Sequence, residues 1–168
     1  NNNNNNNDDN NDNKINNDGH PVVVCDINAE MLAVGKSRAE AAIGSSLAKA
    51  VDFVEGNAES LPFESDSFDL YTIAFGLRNV TNKQNALKEA YRVLRKGGRL
   101  LILEFSHIPN PILQNLYDQY SFEIIPKIGQ VVANDEDSYR YLVESIRRFT
   151  KQEELVQIIA EVDQDGGG

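Results

Sequence analysis

The stretch from Gly56 to Val80, GNAESLPFESDSFDLYTIAFGLRNV, constrains the fold more than any other part of the chain. It reads as a turn, a short loop, a buried strand over Phe68–Phe75 and a polar Arg78-Asn79 pair at the strand's end. That order places chemistry at the carboxyl edge of a parallel sheet, where open α/β folds bind ligands. Similar short apolar runs recur on either side. Val22-Val23-Val24-Cys25-Asp26 is apolar on both faces until its acidic end, as suits a strand covered on both sides. Val51–Val54 and Arg99–Phe105 repeat the pattern.

Helical patterns separate these runs. Asn28 is an N-cap candidate for a helix over Ala29–Ala42, with Met31, Leu32 and Val34 on one side and Gly44-Ser45-Ser46 breaking it. Ala86, Leu87, Ala90, Val93 and Leu94 fall at spacings of three and four in a helix over Lys83–Leu94, closed by Lys96-Gly97-Gly98. Helices follow from Pro111 to Arg148, and a last amphipathic one spans Lys151–Val162. The order strand, helix, strand, strand, helix, strand, helices predicts an α/β fold with a mainly parallel sheet. Residues 1–20 are Asn/Asp-rich with almost no apolar side chain to bury, and are expected to form a disordered tail before a single domain at 21–168.

Charge narrows the function. Lys and Arg number 16 against 26 Asp and Glu, a net charge of -10, which argues against a nucleic-acid partner. Arg147-Arg148 is a minor basic exception. Cys25 is the single cysteine, so no disulfide framework or cysteine metal site is expected, and His20 and His107 lack ligand-spaced partners. No apolar run approaches the roughly 18–20 residues that span a bilayer. The amino terminus has neither a basic nor an apolar region, so no secretory signal is expected there.

Three places carry candidate chemistry. Asp26 ends a strand that opens onto a helix, where a carboxylate can accept from two ribose hydroxyls; the alternative is a charge that favours the helix dipole. It would serve a nicotinamide dinucleotide equally, although nothing later in the chain suggests hydride chemistry. Asn57-Ala58-Glu59 follows a strand and a glycine, where an amide and backbone groups can read an adenine edge with Leu61-Pro62-Phe63 against the ring; the alternative is an ordinary turn. Arg78, at the sheet edge, can stabilise an oxyanion, or else form a salt bridge or cap. Glu104 either orients Arg78 or is a solvated strand end. Tyr117, Tyr120, Phe122, Tyr139 and Tyr141 line an apolar substrate pocket or belong to ordinary helical core.

Taken in order, these segments resemble a known family. Val22–Asp26, Asn57-Ala58-Glu59, Phe75-Gly76-Leu77-Arg78-Asn79-Val80, Val93–Arg99, Leu103-Glu104-Phe105-Ser106, Tyr117-Asp118, Tyr120-Ser121-Phe122 and Ser138-Tyr139-Arg140-Tyr141-Leu142 are similar to the ubiquinone/menaquinone-biosynthesis C-methyltransferases, the 2-polyprenyl-benzoquinol methylases. Phe-Gly-Leu-Arg-Asn-Val and Ser-Tyr-Arg-Tyr-Leu carry most of the likeness. The resemblance implies a class I S-adenosylmethionine-dependent, Rossmann-like methyltransferase fold. It implies that Asp26 holds the cofactor ribose, that Asn57 and Ala58 meet its adenine, and that Ala74 stands where bacterial relatives place a contacting Ser. Arg78 and Asn79 match positions that act on the quinol.

It further implies S-adenosylmethionine as cofactor and a polyprenyl benzoquinol as substrate. A quinone-biosynthesis complex and a peripheral membrane surface follow as partners, at the matrix side of the mitochondrial inner membrane. The family's first strand with its glycine-rich turn precedes the run at Val22, lies between the Val22 and Phe68 strands, and has Asn1–His20 in its place here; the family's C-terminal hairpin is also expected to be lacking. The alternative function is therefore an inactive fragment or paralogue that acts as a partner in such a complex.

Overall fold

The computed structural model describes residues 22–166, so the tail expected at 1–20, with His20, lies outside them. The elements run β1 (Val22–Asp26), α1 (Ala29–Ala48), β2 (Val51–Glu55), β3 (Phe68–Ala74), a 3-10 turn (Leu77–Asn79), α2 (Lys83–Val93), β4 (Leu94–Leu103), α3 (Pro111–Glu123), α4 (Ile125–Ala133), α5 (Glu136–Arg148) and α6 (Gln152–Gly166). β1 pairs parallel with β2, from Val22 opposite Val51 to Asp26 opposite Glu55. β3 pairs parallel with β4, from Leu70 opposite Arg99 to Ala74 opposite Leu103.

Among the described residues these are two separate two-stranded sheets, and β1 and β3 each pair on one side only. The sheets meet through side chains. Val23 and Cys25 of β1, with Phe68 and Tyr71 of β3, pack against one cluster of Val54, Leu61, Phe63 and Val93. Such an arrangement agrees with a strand order that separates the Val22 run from the Phe68 run.

Local chemistry explains the element boundaries. Asn28 caps α1, its Oδ1 accepting from the N–H groups of Glu30 and Met31 at 2.9 and 3.0 Å. The helix breaks at Gly44 as expected, where φ is +77°, but a further turn carries it on to Ala48. Of the expected α1 face only Leu32 is buried; Met31 and Val34 are exposed. α2 buries Ala86, Leu87, Ala90 and Val93, the expected stripe.

Strand β4 starts at Leu94, five residues before the sequence predicts, because Leu94 already pairs with Phe68. The next paired residue is Arg99, so 95–98 loops out of the ladder. Gly97 takes φ +83° in this loop, and Arg95 ties it down through Asp66 O at 3.0 Å and Asp69 Oδ2 at 2.9 Å.

A second cluster of Leu77, Ala86 and Phe149 joins the 3-10 turn, α2 and the end of α5, with Ile73, Ile102 and Leu155 against it. α4 meets α5 where Tyr139 lies on Gly129. A Cβ built at Gly129 would sit 2.4 Å from the Tyr139 ring. Gly129→Ala should therefore cost about 1–3 kcal/mol by overpacking. Thermal denaturation of a double-mutant cycle with Tyr139→Ala checks this, since removing the ring should recover part of the loss. Strictly additive effects would mean the two residues do not share this contact.

Candidate active site

The four parallel strands deliver their following loops to two stitched carboxyl edges. At the end of β1 the Asp26 carbonyl accepts from Gly56 N–H at 3.0 Å, which joins the loops after β1 and β2. The Asp26 carboxylate is exposed, and its Oδ1 accepts from Asn28 N–H at 2.8 Å. Its hydrogen bond uses Oδ1, so Oδ2 is left to accept from a ligand. Gly56 is needed where it stands: a Cβ there would meet Pro62 Cδ at 2.8 Å and Cys25 Sγ at 2.9 Å.

The Asn57 amide oxygen accepts from Glu59 N–H at 2.9 Å, and Ser60 N–H donates to Asn57 O, closing a tight turn. Its amide nitrogen is left to donate. Ala58 packs under this turn against the Leu77 cluster. Glu59 then ties the turn to the loop after β3, its Oε1 accepting from Thr81 and Asn82 N–H at 3.0 and 3.1 Å. Arg92 of α2 holds the next residues through Phe63 O at 2.7 Å and Leu61 O at 3.1 Å, itself oriented by Glu89.

Arg78 follows β3 in the 3-10 turn, after Phe75 in the left-handed region at φ +55°. It is neither a surface salt bridge nor a cap. Its Nη1 donates to Glu104 Oε2 at 3.2 Å, with side chains 11% and 4% exposed. Its backbone N–H donates to Glu104 Oε1 at 3.1 Å, so one buried carboxylate grips both ends of the residue. Nε donates to Ser145 Oγ of α5 at 3.2 Å, Nη1 also reaches Phe75 O, and the guanidinium lies over the Phe105 ring at 5.6 Å. Glu104 thus orients Arg78 rather than ending its strand in solvent. Asn79 is exposed, and its amide oxygen accepts from Tyr141 OH at 3.2 Å. Ala74 is exposed at the end of β3 and presents only a methyl group.

The aromatic residues divide. Tyr117 and Phe122 line a cavity of about 150 Å³ between α3 and α5. Tyr120 is not among its lining residues and is exposed, Tyr139 packs on Gly129, and Tyr141 reaches Asn79. Sequence reasoning gave no role to Ser121, Gln114, His107 or Ser145. A serine inside a helix has no distinguishing spacing: packing puts Ser121, Gln114 and His107 around the cavity and Ser145 on Arg78.

Cys25 is half-buried beneath the Asp26 turn. Burial, then the Asp26 charge, pushes its thiol from 9.0 up to about 11. The folded thiol should therefore label with iodoacetamide far more slowly than free cysteine at pH 8. Its raised pKa also means a stability contribution that is complete below about pH 9 and lost as pH rises toward 11. Labelling at the free-cysteine rate would show that Cys25 is not shielded.

Parallel strands joined by helical crossovers, with turns at their carboxyl ends, are the architecture of a class I S-adenosylmethionine-dependent methyltransferase fold. A SAM-dependent methyltransferase from Methanosarcina mazei superposes with TM-score 0.51 at 27% identity, over 63% of this chain and 52% of that one. YcgJ of Bacillus subtilis does so with TM-score 0.58 at 24% identity, over 83% and 50%. The [4+2]-cyclase SpnF shares the fold at TM-score 0.58 and 18% identity, covering 85% of this chain and 42% of that one, so fold alone does not fix the reaction.

The chain belongs to the ubiE/COQ5 methyltransferase family, whose model matches residues 10–165. It is 56% identical over 141 residues to the ubiquinone/menaquinone biosynthesis C-methyltransferase UbiE of Cereibacter sphaeroides, covering 84% of this chain and 55% of that protein. It is 60% identical over 138 residues to the mitochondrial 2-methoxy-6-polyprenyl-1,4-benzoquinol methylase of Gallus gallus, covering 82% and 43%. With the Homo sapiens protein of the same name it shares 56% over 141 residues, covering 84% and 42%. The chain spans about half the length of these relatives.

Proposed function

We propose that this chain carries the quinol-facing part of an S-adenosylmethionine-dependent C-methyltransferase that acts on a polyprenyl benzoquinol in ubiquinone or menaquinone biosynthesis. The observation that carries the reading is the Arg78–Glu104 pair: a guanidinium fixed at a sheet edge, in a chain whose relatives are named as benzoquinol methylases.

The residues present suit the cofactor. Asp26 has a carboxylate oxygen free for a ribose hydroxyl and Asn57 an amide nitrogen for an adenine acceptor, while Ala58, its methyl packed into the Leu77 cluster, offers backbone groups to the base. Ala74 offers no side-chain hydrogen bond of its own. S-adenosylmethionine supplies a methyl group already activated on sulfonium, so alignment is most of what the protein has to provide.

A ring carbon of a benzoquinol becomes a good nucleophile when the neighbouring hydroxyl ionises. Arg78 stabilises that phenolate and does not take its proton, because a guanidinium stays charged at neutral pH. Glu104 and Ser145 hold it in position at no cost during the reaction. Asn79, with Tyr141 behind it, offers an amide to the second ring oxygen.

A polyprenyl tail brings the substrate to a lipid surface. The exposed Ile112 and Leu116 of α3 suit contact with lipid, and the relatives named as mitochondrial favour the matrix side of the mitochondrial inner membrane, beside other quinone-biosynthesis proteins, as the surface. No helix among the described residues is long and apolar enough to cross a membrane.

Titration calorimetry with S-adenosylmethionine tests the cofactor half of this reading. Micromolar binding by the wild type that weakens at least tenfold in Asp26→Ala supports it. No binding by the wild type, or binding indifferent to Asp26, counts against it.

A further inference from the structure

The turn that presents Asn57 and the turn that presents Arg78 are each closed from within. Asn57 O accepts from Ser60 N–H, and the Asn57 amide oxygen accepts from Glu59 N–H, both at 2.9 Å. Arg78 is held by Glu104, by Ser145 Oγ and by Phe75 O. Neither set of bonds uses the Glu59 side chain. That side chain crosses from one turn to the other. Its Oε1 accepts from Thr81 and Asn82 N–H at 3.0 and 3.1 Å, and these two residues follow Arg78-Asn79-Val80 directly.

Helix capping does not account for the bridge. Asn82 is the N-cap of α2, and its own Oδ1 accepts from Asn85 N–H at 3.0 Å. In a capping box the third helical residue reaches back to the N-cap N–H. Here that residue is Asn85, and the acceptor comes instead from a turn 23 residues upstream. Thr81 N–H lies before the helix altogether. Ala58 and Val80 also meet, through the Leu77 cluster. Apolar burial holds two turns together but is non-directional. Two N–H groups aimed at one carboxylate oxygen fix their spacing.

We propose that Glu59 is a positioning residue for methyl transfer, setting the distance between the nucleoside-holding turn and the turn that carries Arg78 and Asn79. The proposal rests on the quinol methylation reading above and adds to it what aligns the two halves of the site. Each turn keeps its own ligand-facing groups without Glu59, so its loss spares binding and spoils alignment. Alignment is where the rate is most exposed, since a displacement of about 1 Å can cost about 100-fold.

The test compares Glu59→Ala and Glu59→Gln with the wild type, using S-adenosylmethionine and a short-tailed methoxybenzoquinol. In Glu59→Ala, kcat should fall about 10- to 100-fold, while the calorimetric Kd for S-adenosylmethionine and the quinol KM stay within about threefold. Amide hydrogen exchange at Thr81 and Asn82 should accelerate in the same variant without cofactor. Glu59→Gln keeps an oxygen that can accept from both N–H groups, so it should hold exchange slow and kcat within about threefold of the wild type.

A structural role alone would lower Tm and weaken Kd and kcat together, which would overturn the proposal. So would a kcat unchanged in Glu59→Ala, or Glu59→Gln behaving as Glu59→Ala. A wild type that neither binds S-adenosylmethionine nor transfers a methyl group removes the methylation reading and this role with it. A wild type that does both, with Glu59→Ala its equal, removes this role alone.

Discussion

Arg78→Ala is expected to slow methyl transfer and to destabilise the fold together. As a donor to the ring oxyanion, Arg78 should contribute about 2–4 kcal/mol to the barrier, so the rate falls roughly 30- to 1000-fold. S-adenosylmethionine affinity should barely change, because Asp26 and Asn57 sit on other loops. Glu104, 4% exposed, is left as a buried carboxylate without its cation. Breaking such a pair costs about 3–5 kcal/mol, a large part of the stability of an ordinary domain.

The two effects separate in the variant Arg78→Met with Glu104→Gln, which removes both charges. It should recover most of the stability and none of the transfer. Calorimetry and a rate assay on the single and double variants measure both quantities. If stability and rate recovered together, Arg78 would be structural only.

Leu77→Ala is the second large effect. Leu77 is 1% exposed at the centre of the cluster with Ala86 and Phe149, and it begins the turn that carries Arg78 and Asn79. Emptying that position should cost about 2–5 kcal/mol by denaturant unfolding. The turn is also tied from Glu59 through Thr81 and Asn82, so a local collapse should shift both the Asn57 turn and Arg78. Activity should therefore fall even at temperatures where the variant remains folded. Leu77→Met, close in volume, should cost less than about 1.5 kcal/mol and keep activity. An unfolding cost below about 1 kcal/mol for Leu77→Ala would mean the cluster does not hold this turn.

Much of this was legible in the residues. β1, β2 and α2 follow directly from β-branched runs and a three-and-four spacing. The polar residues at strand ends, Asp26 and Arg78, are readable because parallel sheets place their ends at one edge. Glu104 was readable only as one of two roles: whether a strand-end carboxylate is solvated or buried depends on what packs over it, here Arg78 and α5. The early start of β4 was not readable, because Lys96-Gly97-Gly98 looks like a helix stop and is in fact a looped-out segment inside a strand. The aromatic residues of α3 and α5 were grouped by type, whereas packing sends Tyr117 to the cavity, Tyr139 to Gly129 and Tyr141 to Asn79.

The account depends on a methyl group reaching a ring carbon beside an oxygen held by Arg78. Incubation with trideuteromethyl S-adenosylmethionine and a short-tailed methoxybenzoquinol, followed by mass spectrometry and NMR of the product, measures this directly. The account predicts a trideuteromethyl group on a ring carbon with the wild type, and labelling roughly 30- to 1000-fold slower with Arg78→Met, Glu104→Gln. An unlabelled ring, a label on oxygen, or equal labelling by the charge-free variant would contradict it.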